Sequence, residues 1–201
     1  MIAVIDYGLG NIGSILNAMD RLGIKTIKTS SPDDISKSEA LIFPGDGAAA
    51  QAMKNLQKMK LIKPIKDFIR SGKPFLGICL GMQILLSFSE EGNVKCLDII
   101  RGKVKKFSTG LKVPQIGWNQ VVMKQRKIKK LFRGIPDKSY FYFINSYYCE
   151  PEDKSIVIAE TDYGNKFYSI FIKDNITGVQ FHPEKSGKVG FQFLRNWSGL
   201  C

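Results

Sequence analysis

The chain has 201 residues, 44% of them hydrophobic and 24% charged, with a formal net charge of +12. That length suits one medium-sized domain with a continuous core, and no apolar run approaches the roughly 20 residues that span a bilayer. The opening MIAVIDYGLGN lacks a basic leader and Asp6 interrupts its apolar run, so a cytoplasmic protein without a membrane segment or signal peptide is expected.

The apolar run at 1–5, ended by Asp6, Tyr7 and Gly8, predicts a buried strand. Residues 11–22 carry Ile12, Ile15, Leu16, Met19 and Leu22 at helical spacing, and Gly23 supplies a stop. Residues 25–29 are strand-like, and Ser31-Pro32-Asp33-Asp34 opens a short helix. A core strand at 40–43 ends in Pro44-Gly45-Asp46-Gly47. Helices are predicted over 48–58 and 62–71, another buried strand over 74–79, and a further helix beginning over 82–87. This alternation predicts an α/β fold, with a mainly parallel sheet covered by helices on both faces.

The second half changes character. Strands are predicted at 102–107, 120–123, 140–149, 155–161, 168–173 and 176–181, separated by turn residues. They continue the sheet with antiparallel pairs and hairpins, and a helix at 189–197 closes the chain. No repeat, low-complexity tract or linker interrupts it, so a single domain over 1–201 is expected.

The four cysteines, Cys79, Cys96, Cys149 and Cys201, form no CxxC and no metal-ligand spacing, so free thiols are expected. With one histidine in the chain, no zinc site and no other metal or cofactor is expected. The positive charge is mostly lysine spread along the chain, densest at 124–130 (KQRKIKK). No aromatic-studded basic motif accompanies it. A solvated lysine-rich surface is therefore read ahead of nucleic-acid binding, with an acidic protein partner between the two.

The chemistry concentrates at Gly77-Ile78-Cys79-Leu80-Gly81. An apolar strand enters Cys79, a helix leaves it, and glycines flank it two residues away on each side. That is the shape of a nucleophile elbow, in which a Cβ at either glycine would clash in the sharp turn. A helix N-terminus favours the thiolate, and the Leu80 N–H faces an oxyanion formed by attack on a carbonyl. A cysteine is commonly a small buried hydrophobe, and the other three lack this context. A thiol nucleophile needs a proton acceptor and donor, which histidine supplies near neutral pH. The only histidine is His182, at a strand end followed by Pro183, and Glu184 can fold back to fix its tautomer. Glycines on both sides of Asp46 allow a backbone N–H of that loop to join the Leu80 N–H in an oxyanion hole.

PGDG at 44–47, GICLGMQ at 77–83 and FHPE at 181–184 together resemble the class I, triad-type glutamine amidotransferases. IDYGLGN, GWN at 117–119, YFYFINSYY at 140–148 and HPEKS at 182–186 extend the similarity, over nearly the whole chain, to the glutaminase subunit of imidazole glycerol phosphate synthase. The resemblance implies the α/β amidotransferase fold and a triad of Cys79, His182 and Glu184. It implies glutamine contacts from Gly47, Gln83 and the backbone near Ser146 and Tyr147. It also implies an oxyanion hole from the Gly45-Asp46 loop and the Leu80 N–H. The substrate would be glutamine, and the ammonia would pass to a separate cyclase subunit, a (β/α)8 barrel, in a heterodimer that forms imidazole glycerol phosphate in histidine synthesis. Asn11, Trp118 and Lys185 match positions that face that cyclase.

Three positions depart from the family pattern. Asp46 stands where an apolar residue is common, and Gln115 and Asn145 stand where histidines are common. Paralogues of this subunit supply ammonia for amidine formation on a sugar in surface-glycan pathways, and a partner-facing surface diverged by these changes would suit one of them. An acidic side chain at 46 also raises the reading of a catalytically idle binding subunit.

Overall fold

The computed structural model describes residues 1–107, 110–124 and 130–201. In chain order its elements are β1 (Ile2–Ile5), α1 (Ile12–Arg21), β2 (Thr26–Thr29), α2 (Pro32–Lys37), β3 (Ala40–Phe43), α3 (Ala49–Lys58) and α4 (Ile62–Arg70). Next come β4 (Phe75–Ile78), α5 (Leu80–Gln83), β5 (Leu86–Ser89), β6 (Val94–Lys95), β7 (Ile100–Lys106), β8 (Gln115–Met123) and β9 (Ser139–Asn145). The chain finishes with β10 (Tyr147–Pro151), β11 (Val157–Tyr163), β12 (Asn165–Lys173), β13 (Ile176–Val179) and α6 (Gly187–Ser198). Short 3-10 turns occupy Lys154–Ile156 and Pro183–Lys185.

Strands β2, β1, β3, β4 and β13 lie side by side, all parallel. The residues of β1, β3 and β4 are apolar and buried on both faces, as a sheet covered twice requires, whereas edge strand β2 is mostly polar and only partly buried. In β1, Ala3 and Ile5 face one core with Leu56 of α3 and Phe68 of α4, while Ile2 and Val4 face the other with Ile15 of α1 and Trp197 of α6. Helices therefore cover both faces, as the alternation predicted. Beyond β13 the sheet turns antiparallel through β12, β10 and β7, and β11, β8 and β9 branch from β12.

The helix ends follow local chemistry. Asn11 caps α1 by accepting from the Ser14 N–H at 3.2 Å, and Ser31 caps α2 at the Asp34 N–H. Such a cap satisfies an otherwise unpaired first-turn donor.

Three expectations change. The helix expected over 82–87 is a single turn, α5, followed by strand β5 parallel to β7. Ile84, Leu85 and Leu86 are all fully buried, and an apolar run buried on every side carries no period to separate helix from strand. The strand expected over 140–149 breaks at Ser146 into β9, paired with β8, and β10, paired with β7 and β12. The strand expected from 120 begins at Gln115 instead, carried through Gly117 by pairing with β9. The basic run at 124–130 lies largely outside the described residues. No described helix is long and apolar enough to cross a membrane.

Candidate active site

Cys79 follows the last residue of β4, and His182 comes three residues after the end of the neighbouring parallel strand β13. Parallel pairing thus brings both to the carboxyl edge of the sheet, where open α/β folds bind ligands. Cys79 has φ +53° and ψ −111°, a conformation a residue with a Cβ rarely adopts. Backbone strain of this kind collects at functional sites. The elbow glycines are sterically obligatory. A methyl at Gly81 would sit 1.8 Å from the Phe43 carbonyl oxygen, and one at Gly77 2.7 Å from the Gly81 carbonyl oxygen.

His182 is held from three sides. Its backbone N–H donates to the Tyr142 carbonyl at 2.9 Å. The Ser186 hydroxyl donates to the His182 carbonyl at 2.6 Å and accepts from the Tyr142 N–H at 2.9 Å. The preceding Phe181 stacks on Phe141 with centroids 4.1 Å apart and meets Phe143 and Phe193 edge-on. His182 Nδ1 lies 2.9 Å from Glu184 Oε1, and the carboxylate is buried. Nε2 is left for the thiol side. Burial opposes charge on this ring, but the Cys79 sulfur and the Glu184 carboxylate outweigh it and raise the imidazole well above its usual range.

A pocket of about 190 Å³ opens over these groups. Its wall includes Asp46, Gly47, Leu80, Gln83, Ser146, Tyr147 and Lys185, all anticipated from the sequence. Gly45, expected in the same loop, is buried and is not among the lining residues. A methyl there would sit 2.3 Å from the Tyr7 hydroxyl, and Gly47 has φ +94°. Asp46 is exposed on the loop. The Tyr7 hydroxyl is buried without a hydrogen-bond partner, and burial, with the charges of Cys79 and Asp46, pushes it above the usual phenol range. The Leu80 N–H starts α5 and has no intrahelical partner.

Two anticipated contacts are more constrained than the sequence suggested. Gln83 spends its amide nitrogen on the Tyr147 carbonyl at 3.0 Å and on Gln180 Oε1 at 3.1 Å, leaving its oxygen for a ligand. The Tyr147 carbonyl also accepts from Asn145 Nδ2, and the Ser146 carbonyl accepts from the Phe107 N–H, so neither carbonyl is idle. The expected helix dipole at Cys79 is slight, because α5 has four residues and few peptide dipoles to sum.

Three contributors escaped the sequence reading. Glu91 lines the pocket half-buried, accepts from the Ala49 N–H at 2.8 Å, and has its carboxyl pushed up by burial against that bond. Ser186 locks the His182 backbone. Gln180 reaches the Cys79 sulfur. For the last two the signal lay in the quoted HPEKS and in the strand that precedes it. Glu91 carried none, because its loop is brought to the pocket by β5, which was read as helix.

Of the three positions matching a partner interface, Lys185 alone lines the pocket. Trp118 is 54% exposed and stands edge-on to Tyr142. Asn11 spends its oxygen on the α1 cap. Gln115 and Asn145 are not surface residues: they are register partners across β8 and β9, both buried. Gln115 thus sits inside the sheet, whereas Asn145 also lines the pocket. The four cysteines are free, and among the described residues no cluster suits a metal ion.

The family model described as glutamine amidotransferase class-I matches residues 3–197. A relative from Dehalococcoides mccartyi, imidazole glycerol phosphate synthase subunit HisH, is 48% identical over 98% of this chain and 96% of its own length. The subunit of the same name from Moorella thermoacetica is 46% identical over 99% and 94%. Among solved structures, PurLQS from Thermotoga maritima superposes with a TM-score of 0.78 at 16% identity, covering 99% of this chain and 97% of that one. A glutamine amidotransferase from Thermotoga maritima superposes at 0.65 with 17% identity, covering 99% and 82%.

Proposed function

The chain belongs to the class I glutamine amidotransferase family, and from that premise we propose that Cys79, His182 and Glu184 form the triad of a glutaminase. The observation that carries this reading is the row itself: a strained cysteine and a carboxylate-backed histidine on adjacent parallel strands, over one pocket. The reaction is hydrolysis of glutamine to glutamate and ammonia. The ammonia passes to a (β/α)8-barrel cyclase in a heterodimer and enters imidazole glycerol phosphate in histidine synthesis. The names of the relatives support this acceptor and not a glycan-pathway alternative. Any lyase step belongs to the cyclase.

The residues divide the work as follows. The Cys79 thiolate attacks the side-chain amide carbon of glutamine, and the carbonyl π electrons move onto oxygen. The Leu80 N–H and a backbone N–H of the Gly45-Asp46-Gly47 loop receive that oxyanion. The His182 imidazolium gives its proton to the departing nitrogen, the C–N bond breaks, and ammonia leaves a γ-glutamyl thioester. Neutral His182 then takes a proton from water, the hydroxide attacks the thioester carbon, and the C–S bond breaks to release glutamate and restore the Cys79 thiolate with the His182 imidazolium. Glu184 holds the ring in the tautomer that serves both steps. Glu91 is placed to receive the α-ammonium of the substrate.

Purified chain mixed with its cyclase and glutamine should release glutamate. Cys79→Ala should lower that release by at least about 10³-fold. Full activity in the alanine variant would sink the assignment. A glutamine-mimicking electrophile should label Cys79 in the complex, and failure to do so would favour an idle binding subunit. The reading of 1–201 as one domain is supported by a single family model spanning 3–197, and a cytoplasmic setting accords with four free thiols.

A further inference from the structure

We propose that Gln180 is a neutral hydrogen-bond donor to the Cys79 sulfur, favouring its thiolate and tying it to the 145–147 segment. The proposal rests on the reading of Cys79 as the nucleophile and names a residue that reading does not use.

The sheet puts Gln180 there. Val179 and Ile78 are register partners in β13 and β4, so the next residues, Gln180 and Cys79, leave the sheet side by side. The Cys79 N–H donates to the Val179 carbonyl at 2.8 Å, and the Gln180 N–H donates to the Ser169 carbonyl at 2.9 Å. The Gln180 side chain is fully buried. Its Nε2 lies 3.6 Å from Cys79 Sγ, within reach of an N–H···S hydrogen bond.

The direction of that donor is dictated from two links away. Gln83 Nε2 donates to the Tyr147 carbonyl at 3.0 Å. A carbonyl only accepts, so this bond fixes which end of the Gln83 amide is nitrogen. The same nitrogen lies 3.1 Å from Gln180 and there requires an oxygen. Gln180 therefore has only its NH₂ to turn toward the sulfur. A backbone carbonyl of the pocket wall thus sets the polarity of a relay that ends on the reacting atom.

Ionisation changes the worth of this contact. As a thiol, Cys79 can donate to the Ile144 carbonyl at 3.7 Å. As a thiolate it loses that donor and faces a carbonyl dipole of the wrong sign. The Gln180 N–H then becomes a charge-assisted bond, stronger than a neutral one. The titratable groups that surround the sulfur are His182, backed by Glu184, together with Tyr7 and Cys149, and Asp46, Glu91 and Lys185 on the pocket wall. Gln180 is an amide, does not titrate, and keeps its donors at every pH. One-turn α5 contributes little dipole, so a side-chain donor has more to do.

Alkylation of Cys79 by iodoacetamide, followed across pH by peptide mass spectrometry on the full chain, tests this. Gln180→Leu removes the donor. Gln180→Met stays neutral, keeps the side-chain length, and is expected to fold if the leucine variant does not. In a folded variant, Cys79 alkylation near neutral pH should fall about ten-fold or more. Its pH midpoint should move to the alkaline side, while exposed Cys201 reacts as before. Gln83→Leu should shift Cys79 in the same direction by less. A folded Gln180→Leu or Gln180→Met chain with the parental pH profile at Cys79 overturns the proposal, because loss of a neutral donor is then the change that would have moved that midpoint. Alkylation needs no glutamine. A parent chain that released no glutamate would therefore reject the glutaminase reading and leave this result standing on its own.

Discussion

His182 is the residue on which the charge balance of the site turns, and it is the chain's only histidine. Its raised pKa is a contest: burial pulls the imidazolium down, and the Cys79 sulfur and Glu184 push it up more strongly. Removing the sulfur leaves burial and Glu184 alone. The titration midpoint of this one histidine's ring C–H resonances should therefore be lower in Cys79→Ala than in the parent. An unchanged midpoint would mean that the sulfur and ring do not share a proton. The sign for stability follows from linkage. A group whose folded value lies above its ordinary value of about 6.5 contributes fully below that pH, and the contribution fades as pH rises through the folded value. The parent should thus lose, between neutral and alkaline pH, a stability increment that Cys79→Ala lacks. Urea melts of both chains at pH 6 and pH 10 would detect it. The same residue illustrates what a sequence can reveal. One histidine next to HPE allowed no choice of base, whereas the Ser186 hydroxyl that clamps its carbonyl depends on β9, which is remote in the chain.

Elements were legible where local chemistry decides them and illegible where a distant strand does. The elbow is the clearest case. Gly77 and Gly81 are required by backbone within the same turn and by the Phe43 carbonyl of β3, so the pattern survives in the sequence. Gly81→Ala should cost at least about 2–3 kcal/mol in a denaturant melt, since a methyl at 1.8 Å from a backbone oxygen cannot be accommodated by rotating a side chain. Gly13→Ala, on α1 with its nearest obstacle at 4.0 Å, should instead be neutral or stabilise by up to about 1 kcal/mol. Equal losses at the two positions would remove the steric account of the elbow. β5 is the opposite case. Its Ile-Leu-Leu approach is buried all round, and only pairing with β7, eleven or more residues later, makes it a strand. That error hid Glu91, which β5 delivers to the pocket. The break at Ser146 was hidden likewise, because an unbroken β-rich run gives no sign that its two halves pair with different strands.

At the scale of the whole molecule, β8 and β9 leave an apolar face open beside the pocket. Their register sets Ile116 against Ile144, Trp118 against Tyr142 and Gln120 against Tyr140 on one side of the ribbon. The other side carries Val121, Phe141 and Phe143 into the core. Alternation is therefore apolar in both phases, and only one phase is satisfied within the chain. Ile116, Trp118 and Tyr140 remain 64%, 54% and 54% exposed. Contiguous aromatic surface rimmed by polar groups marks protein interaction sites, where buried Trp and Tyr anchors dominate affinity. Lys185 on the pocket wall lies on the same short turn as His182, so a partner seated here would cover the mouth from which ammonia leaves. Trp118→Ala should weaken cyclase binding by about 10- to 100-fold, the equivalent of roughly 1.4–2.8 kcal/mol. Its exposed indole contributes little to the isolated chain, whose melting should shift by no more than about 0.5 kcal/mol. Calorimetric titration with the cyclase and a urea melt of the free chain separate the two effects. Unaltered affinity would exclude this face as the docking surface, and a large loss of stability in the free chain would assign Trp118 to the core instead.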